Sequence, residues 1–388
     1  MKKKNVLFVL NSYKIGGTVV STRNVISLLD RDKFNCFVLV LNDRGIMSCL
    51  YENCNVINST YWARRMMTHS WCEETNTIDK LAGILALLIK RHCPSLKMMM
   101  YRRIANKCLQ GYDFDVVVAC KGGVERDFVQ SIDCQKKVIW VRNDFVNRHG
   151  KSQIDKMKKQ YALFDAIICV SQKVMDGFLS VYPELANKTI CVFNPQNSQL
   201  LKERADINDN DENFKTDKPT IVSVGRISKV KRFDKIPAIA SRLLNKGMAF
   251  RWYIIGDGDE NEVSFIRNEI ERYSIKNEVI MLGAKTNVHY YIKMADILVS
   301  TSVSEACPRV VNEAKVLGTP VVAADYRTIF EFIENRKTGI ITDIDHIGDA
   351  VAELLTDKNL YNSIKSELSK FEFDNSDLMA KIEDVLYE

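Results

Sequence analysis

The sequence predicts an α/β protein made of two doubly wound domains in tandem, and three observations predict it. At 388 residues the chain is long enough for two hydrophobic cores. Strand-like apolar runs alternate with helical patterns along it, the mark of a mainly parallel sheet with helices on both faces. A polar stretch at 196–218, "QNSQLLKERADINDNDENFKTDK", interrupts that rhythm, and the rhythm then starts again.

The chain opens "MKKKNVLFVLNSYK". A basic start before an apolar run is also how a signal peptide begins. Here the run extends only from Val6 to Leu10 and no small-residue cleavage site follows, so it is read as the first strand. Further strands are read at "CFVLVL", "DVVVAC", "KVIWVR" and "AIICVS", near-continuous apolar runs that suit strands covered on both faces. Residues 60–110 fit the alternation poorly. They carry nine Lys and Arg against three acids, with two Trp, two Tyr and several Met. Two compatible readings follow: a helical insertion packed on the first sheet, and a basic aromatic surface suited to an anionic membrane. The stretch 196–218 is read as a linker or surface excursion. Beyond it, strands are read at "PTIVSVG", "FRWYIIG", "EVIMLG", "DILVS", "TPVVAA" and "GIIT", with helices between them such as Phe233 to Asn245 and Val263 to Tyr273. Ligands of such sheets sit at the carboxyl ends of the strands, so the expected site is a cleft that the two domains face.

Composition narrows the class. With 46% apolar and 27% charged residues the chain reads as globular rather than disordered or fibrous. Its longest apolar block, Leu81 to Ile89, is nine residues, against the roughly twenty that span a bilayer. Eleven cysteines with no secretion signal point to a reducing cytoplasm. No CxxC pair occurs and the five histidines are scattered, so no metal site is expected. Charge is unevenly spread: residues 1–195 hold 29 Lys and Arg against 17 Asp and Glu, a net of +12, while the rest hold 26 against 32, a net of −6. The first half is therefore expected to face something anionic.

Four motifs carry chemistry. In "SVGRISKVKRFDKI", Arg226 follows a strand and Lys231 comes five residues later; a planar fork of donors beside a point charge suits a diphosphate, though either is also an ordinary surface cation. In "IIGDGDE" a dinucleotide fingerprint fails for want of glycine at Asn261. The pair Asp257 and Asp259 reads better as a tight turn than as a metal site. Gly16 and Gly17, after the first strand, leave backbone open to close approach by a ligand, or simply turn the chain. Finally "SEACPRVVNEAKVLGTPVV" sets Glu305 before a helix and Glu313 within it. Pro308 is placed at the first helical position, and Val310, Val311, Ala314 and Leu317 are placed toward the sheet. A helix start gathers positive potential and unbonded N–H groups, where phosphate can sit, and a carboxylate beside it accepts hydrogen bonds from sugar hydroxyls.

Taken in order, these residues resemble the retaining family-four group of nucleotide-sugar glycosyltransferases, which have two Rossmann-like domains in the GT-B fold. The resemblance spans nearly the whole chain. It is strongest over 219–342, where Glu305 and Glu313 match the group's E-x7-E motif, and "YDFDVVVACKGGVERDFV…KKVIWVRNDF" resembles the bacterial surface-polysaccharide branch. It implies a Rossmann-like acceptor domain over 1–195, a linker over 196–218, a donor domain over 219–370, and a C-terminal helix over 371–388 packing back toward the first domain. It implies that Arg226 and Lys231 grip the donor diphosphate and steady the leaving charge. Glu305 lies by the donor sugar, and Glu313 takes the ribose hydroxyls. Main-chain N–H groups of Cys307, Arg309 and Val310 assist, Gly283 lies near the base, and Gly16 and Gly17 border the cleft. Lys121, Arg142 and Asp144 fall on the acceptor side. The implied donor is a UDP-sugar first and a GDP-sugar second, with no metal and no bound cofactor. The implied acceptor is a glycan or lipid-diphosphate-linked hydroxyl in cell-surface polysaccharide synthesis, reached from the cytoplasm with peripheral attachment to an anionic membrane; nucleic acid is not an expected partner. The chain departs from the group at Arg142, where relatives commonly have His, and at Ala306, where they have Gly. An arginine cannot act as a base. Those departures keep a non-catalytic glycan- or nucleotide-binding partner open as an alternative, and a nucleotide-sugar epimerase is the other.

Overall fold

The computed structural model describes residues 2–12, 16–42, 54–67, 77–143 and 151–388. These form two compact units, one of residues 1–195 together with 375–388 and the other of residues 196–374.

Unit 1 runs β1 (Lys4–Ser12), α1 (Gly17–Leu28), β2 (Phe34–Asn42), β3 (Asn55–Ile57), α2 (Tyr61–Met67), α3 (Thr77–His92), α4 (Pro94–Cys108), β4 (Val116–Ala119), α5 (Val124–Val129), β5 (Lys136–Val141), α6 (Lys151–Tyr161), β6 (Ala166–Cys169), α7 (Gln172–Val181) and β7 (Thr189–Cys191). Its seven strands pair in the order β3-β2-β1-β4-β5-β6-β7, all parallel. The apolar runs are buried as their continuity demands: Val6 to Val9 and Val117 to Cys120 are fully inaccessible. Between Tyr61 and Cys108 the described residues form α2, α3 and α4, with only Cys93 between α3 and α4 outside a helix. Ala63, Met66, Tyr101, Ile104 and Ala105 turn inward, while Trp62, Leu81, Leu85 and Leu88 stay at least half exposed.

Unit 2 runs α8 (Ser198–Ala205), β8 (Thr220–Val224), α9 (Ile236–Asn245), β9 (Arg251–Ile255), α10 (Glu260–Arg272), β10 (Val279–Gly283), α11 (Val288–Met294), β11 (Ile297–Ser300), α12 (Arg309–Val316), β12 (Val321–Ala324), β13 (Ile340–Thr342), α13 (Ile347–Thr356) and α14 (Lys358–Ser369). The strand order is β10-β9-β8-β11-β12-β13, again parallel throughout. The stretch read as a linker is part of this unit. It forms α8, Asn287 donates to the Arg204 and Ile207 carbonyls at that helix's end, and Lys285 pairs with Asp211 at 2.7 Å. Its many Asn and Asp side chains cap and bond locally rather than solvate a free tether. The last helix, α15 (Ser376–Tyr387), belongs to unit 1. Met379, Ile382 and Leu386 are buried, Lys33 pairs with Glu383 at 2.9 Å, and Phe34 meets Tyr387 edge-on.

In each sheet the order reverses once, between β1 and β4 in unit 1 and between β8 and β11 in unit 2. Chains leaving adjacent strands there diverge to opposite faces and open a crevice at the carboxyl ends. Among the described residues no helix is long and apolar enough to cross a membrane, no cluster of metal-ligating side chains occurs, and the nine cysteines are free.

Candidate functional site

The site is built at the reversal in unit 2, by the loops that follow β8 and β11. These loops are laced together by Val303 N–H to the Val230 carbonyl at 2.9 Å and by Thr301 Oγ1 to the Lys231 carbonyl at 2.6 Å. That lacing brings Lys231 and Glu305 together across 74 residues of sequence, and Lys231 Nζ forms an ion pair with Glu305 Oε1. Ser302 Oγ donates to the same carboxylate oxygen at 3.0 Å, and Thr328 Oγ1 donates to the Glu305 carbonyl at 2.6 Å. Both side chains of the pair are about four-fifths buried. A narrow pocket beneath them is lined by Val224, Ser300, Ser302, Pro308 and Val311. Tyr326 is buried close by, its hydroxyl pushed above the ordinary tyrosine range by burial and by the charge on Glu305.

Arg226 stands exposed just past β8, and none of the described acids lies within ion-pair range of it. The loop after β9 approaches from the other side. Gly256 N–H bonds the Gly283 carbonyl at 2.8 Å, and Ile227 N–H bonds the Asp257 carbonyl at 3.0 Å. Asp259 accepts from Asn261 N–H as the N-cap of α10, and Asp257 accepts from Gly258 N–H. Both acids of "GDGD" thus have turn and cap duties. Gly283 ends β10 with φ +70 and open space where a side chain would stand.

Helix α12 differs from its expected form in two respects. Pro308 is the N-cap rather than the first helical residue, and the Val311 and Asn312 N–H groups both return to its carbonyl. The buried face is also wider than periodicity implies. Val311 and Ala314 are buried as expected, but Asn312, Glu313 and Val316 are buried too, while Val310 and Leu317 are only half-buried. The reason is that α11 and α8 cover a second side of the helix. Glu313 is consequently not presented on an open face: it is 1% exposed. Its Oε1 lies 3.3 Å from Arg309 Nε, one turn earlier, and 3.6 Å from Nε2 of His289 on α11. Cys307 and Val310 sit half-buried between the two glutamates.

The residues expected in the first half gather at the other reversal. Gly16 caps α1 in extended conformation and Gly17 opens it, with nothing within 4 Å of where a Gly17 side chain would start. Lys121 is exposed beyond β4. Arg142 is held by the protein itself, donating from Nε to the Cys120 carbonyl at 2.9 Å and bonding Asn194, with Trp140 beneath its guanidinium. Asp144 lies outside the described residues. Glu125, not singled out by its sequence context, is buried beside them and accepts from Asn11 N–H at 3.1 Å; burial raises its carboxyl to about 7. Sequence reasoning also missed Ser302, Thr328 and His289. Ser302 was within reach, three residues before Glu305 in one loop. The other two arrive from distant elements with no pattern to mark them.

The family model described as glycosyl transferases group 1 matches residues 205–370. The chain is 25% identical over 201 residues to an uncharacterized glycosyltransferase of Methanocaldococcus jannaschii, covering 50% of this chain and 49% of the relative. It is 26% identical over 164 residues to a poly(ribitol-phosphate) alpha-N-acetylglucosaminyltransferase of Staphylococcus aureus, covering 42% and 33%. The matches cover between 33% and 59% of the length of these two curated relatives and a third. Among solved structures, the Anabaena protein HepE in complex with UDP-glucose superposes with a TM-score of 0.70 at 17% identity, over 99% of both chains. The fold is therefore the two-domain, Rossmann-like GT-B fold, and the stretch that matches the group 1 glycosyltransferase model lies within its second unit.

Proposed function

We propose that this chain, which matches the group 1 model over residues 205–370, is a glycosyltransferase. It transfers a sugar, with retention of configuration, from a nucleotide-sugar to a hydroxyl of a glycan or lipid-linked acceptor in cell-surface polysaccharide synthesis. The observation that carries the reading is the meeting of Lys231 and Glu305, expected on the diphosphate and on the sugar joined to it, at the strand reversal of the stretch the family model matches. UDP is the first nucleotide to test, since a solved structural neighbour binds UDP-glucose.

In this reading Arg226 and Lys231 hold the diphosphate, and their charge is worth most in the transition state, when the leaving nucleotide gains negative charge. Glu305, fixed by Ser302 and Thr328, accepts from hydroxyls of the moving sugar. Glu313 accepts from the ribose once Arg309 moves off it, with His289 still beside its carboxylate. Cys307, Arg309 and Val310 offer main-chain donors, Gly283 borders the base, and unit 1 takes the acceptor. Same-face attack, with the leaving phosphate accepting the acceptor's proton, needs no protein nucleophile. The exposed stripe Leu81, Ile84, Leu85 and Leu88 of α3, with Lys80, Arg91, Arg102 and Arg103 exposed nearby, supports peripheral attachment to an anionic membrane.

A second reading, a binding partner without turnover, is favoured by Arg142, which is occupied by Cys120 and Asn194 and leaves no base at that position. One assay separates the two: nucleotide release from a panel of UDP- and GDP-sugars, with and without membrane extract. Release from one donor is expected. Binding without release supports the partner reading, and neither binding nor release refutes the donor site.

A further inference from the structure

Each glutamate of the E-x7-E pair already holds a cation. Lys231 is paired with Glu305, and Arg309 with Glu313. On the donor-site reading these pairs separate: Lys231 goes to phosphate, Arg309 moves off Glu313 and is free to turn to phosphate as well, and the carboxylates go to hydroxyls. Binding is then an exchange of partners, and its balance depends on what the ligand brings.

Inorganic pyrophosphate brings only anions. It can take Lys231 and Arg309, but it draws both cations away from Glu305 and Glu313 and sets a new negative charge beside them, leaving Ser302 and His289 on their Oε1 atoms. Charges this deeply buried lose little of that repulsion to solvent: the Glu313 side chain is 2% exposed and that of Glu305 18%. A nucleoside diphosphate brings ribose hydroxyls as well, and a nucleotide-sugar brings sugar hydroxyls in addition. Hydroxyls donate, and a carboxylate that has lost its cation is the acceptor they suit. His289, 3.6 Å from Glu313, stays with that carboxylate when Arg309 leaves.

From this exchange we infer that Glu305 and Glu313 are specificity-determining groups that bar bare phosphates from the donor site, admitting an anion only when hydroxyl donors arrive with it. The inference rests on the donor-site reading and adds to it a discrimination that the positions of the residues alone do not state.

The test is calorimetric titration of pyrophosphate and of UDP, or of GDP where the wild type prefers it, into wild-type protein and into Glu305→Gln and Glu313→Gln. Glu313→Gln is expected to move the two ligands in opposite directions. Pyrophosphate should tighten roughly tenfold as the competing charge disappears, and UDP should weaken roughly tenfold as ribose loses a charged acceptor. Glu305→Gln should tighten both, since UDP has no sugar for Glu305 to bind. Asp257→Asn removes an equal charge from an exposed acid that accepts only from its neighbour's N–H, and should change pyrophosphate affinity less than about twofold. Should Glu313→Gln not fold, Glu305→Ser carries the test through pyrophosphate alone. Same-direction shifts in Glu313→Gln, no tightening in Glu305→Gln or Glu305→Ser, or an equal effect of Asp257→Asn overturns the inference while leaving the donor site standing. Wild-type protein that binds no nucleotide overturns both.

Discussion

Gly256 occupies a position with no room for a side chain. Its φ is +148, and a Cβ there would lie 1.8 Å from the Gly225 carbonyl oxygen, in backbone that cannot swing aside. Gly283 has φ +70 but open space around it. Gly256→Ala should therefore cost more than about 3 kcal/mol in urea unfolding, and Gly283→Ala only about 1–2 kcal/mol of left-handed strain. Glu125 gives a prediction in pH. Burial raises its folded carboxyl to about 7, above the ordinary glutamate range of the unfolded chain, so the folded state binds that proton more tightly. Its contribution is full at acid pH and is lost as pH rises toward and through 7. Unfolding measured from pH 4 to 8 should show Glu125→Gln gaining on wild type by on the order of 3 kcal/mol at the alkaline end. At the proposed donor site, Glu305→Ala should lower turnover at least about a hundredfold if it acts on the reacting sugar; activity near wild type would remove it from that role.

At the scale of elements, all six strands of unit 2 were legible, as were β1, β2, β4, β5 and β6, because strands buried on both faces leave unbroken apolar runs. The short β3 and β7 give no continuous apolar signal: Asn55 and Val56 of β3 are exposed, and Ile190 and Cys191 of β7 are only half-buried. Helix α8 was read as linker for a related reason: only Leu201 and Ala205 of its residues are buried, so no periodicity stands out among the flanking Asn and Asp. The site followed the same rule. Arg226, Lys231 and both glutamates were visible as a motif, but the lacing of loops that pairs Lys231 with Glu305, and the cover of α11 over Glu313, are tertiary facts with no local signature. Two predictions belong here. Asp127 on α5 receives Lys97 of α4 at 2.5 Å, Arg126 at 2.9 Å and Gln160 of α6 at 3.1 Å. Asp127→Ala leaves those donors stranded and should cost about 3 kcal/mol, read by chemical denaturation. Leu85→Glu with Leu88→Glu should abolish flotation on vesicles of anionic lipid and leave stability within about 0.5 kcal/mol, since both side chains are exposed. Wild-type protein that never floats refutes the membrane reading.

Over the whole molecule, the division into units does not follow the order of the chain. Unit 1 is assembled from 1–195 and from α15 at 375–388, with all of unit 2 in between. Removing α15 should uncover Phe34 and break the Lys33–Glu383 pair. Truncation after Asp374 is therefore expected to lower the melting of unit 1 by several degrees while the transition of unit 2 stays put, as followed by calorimetry.

That arrangement has a consequence for how the protein is made. As it emerges from the ribosome, the first sheet appears early but lacks the helix that covers it. Roughly 180 further residues must be translated before that helix exists, about 10–40 seconds at ordinary elongation rates. During that interval the second unit can complete itself, while the first waits with Phe34, at the start of β2, uncovered. The nascent chain thus depends on a late-made segment to finish an early-made unit, and a released product that stops at residue 374 has a complete unit 2 and an unfinished unit 1.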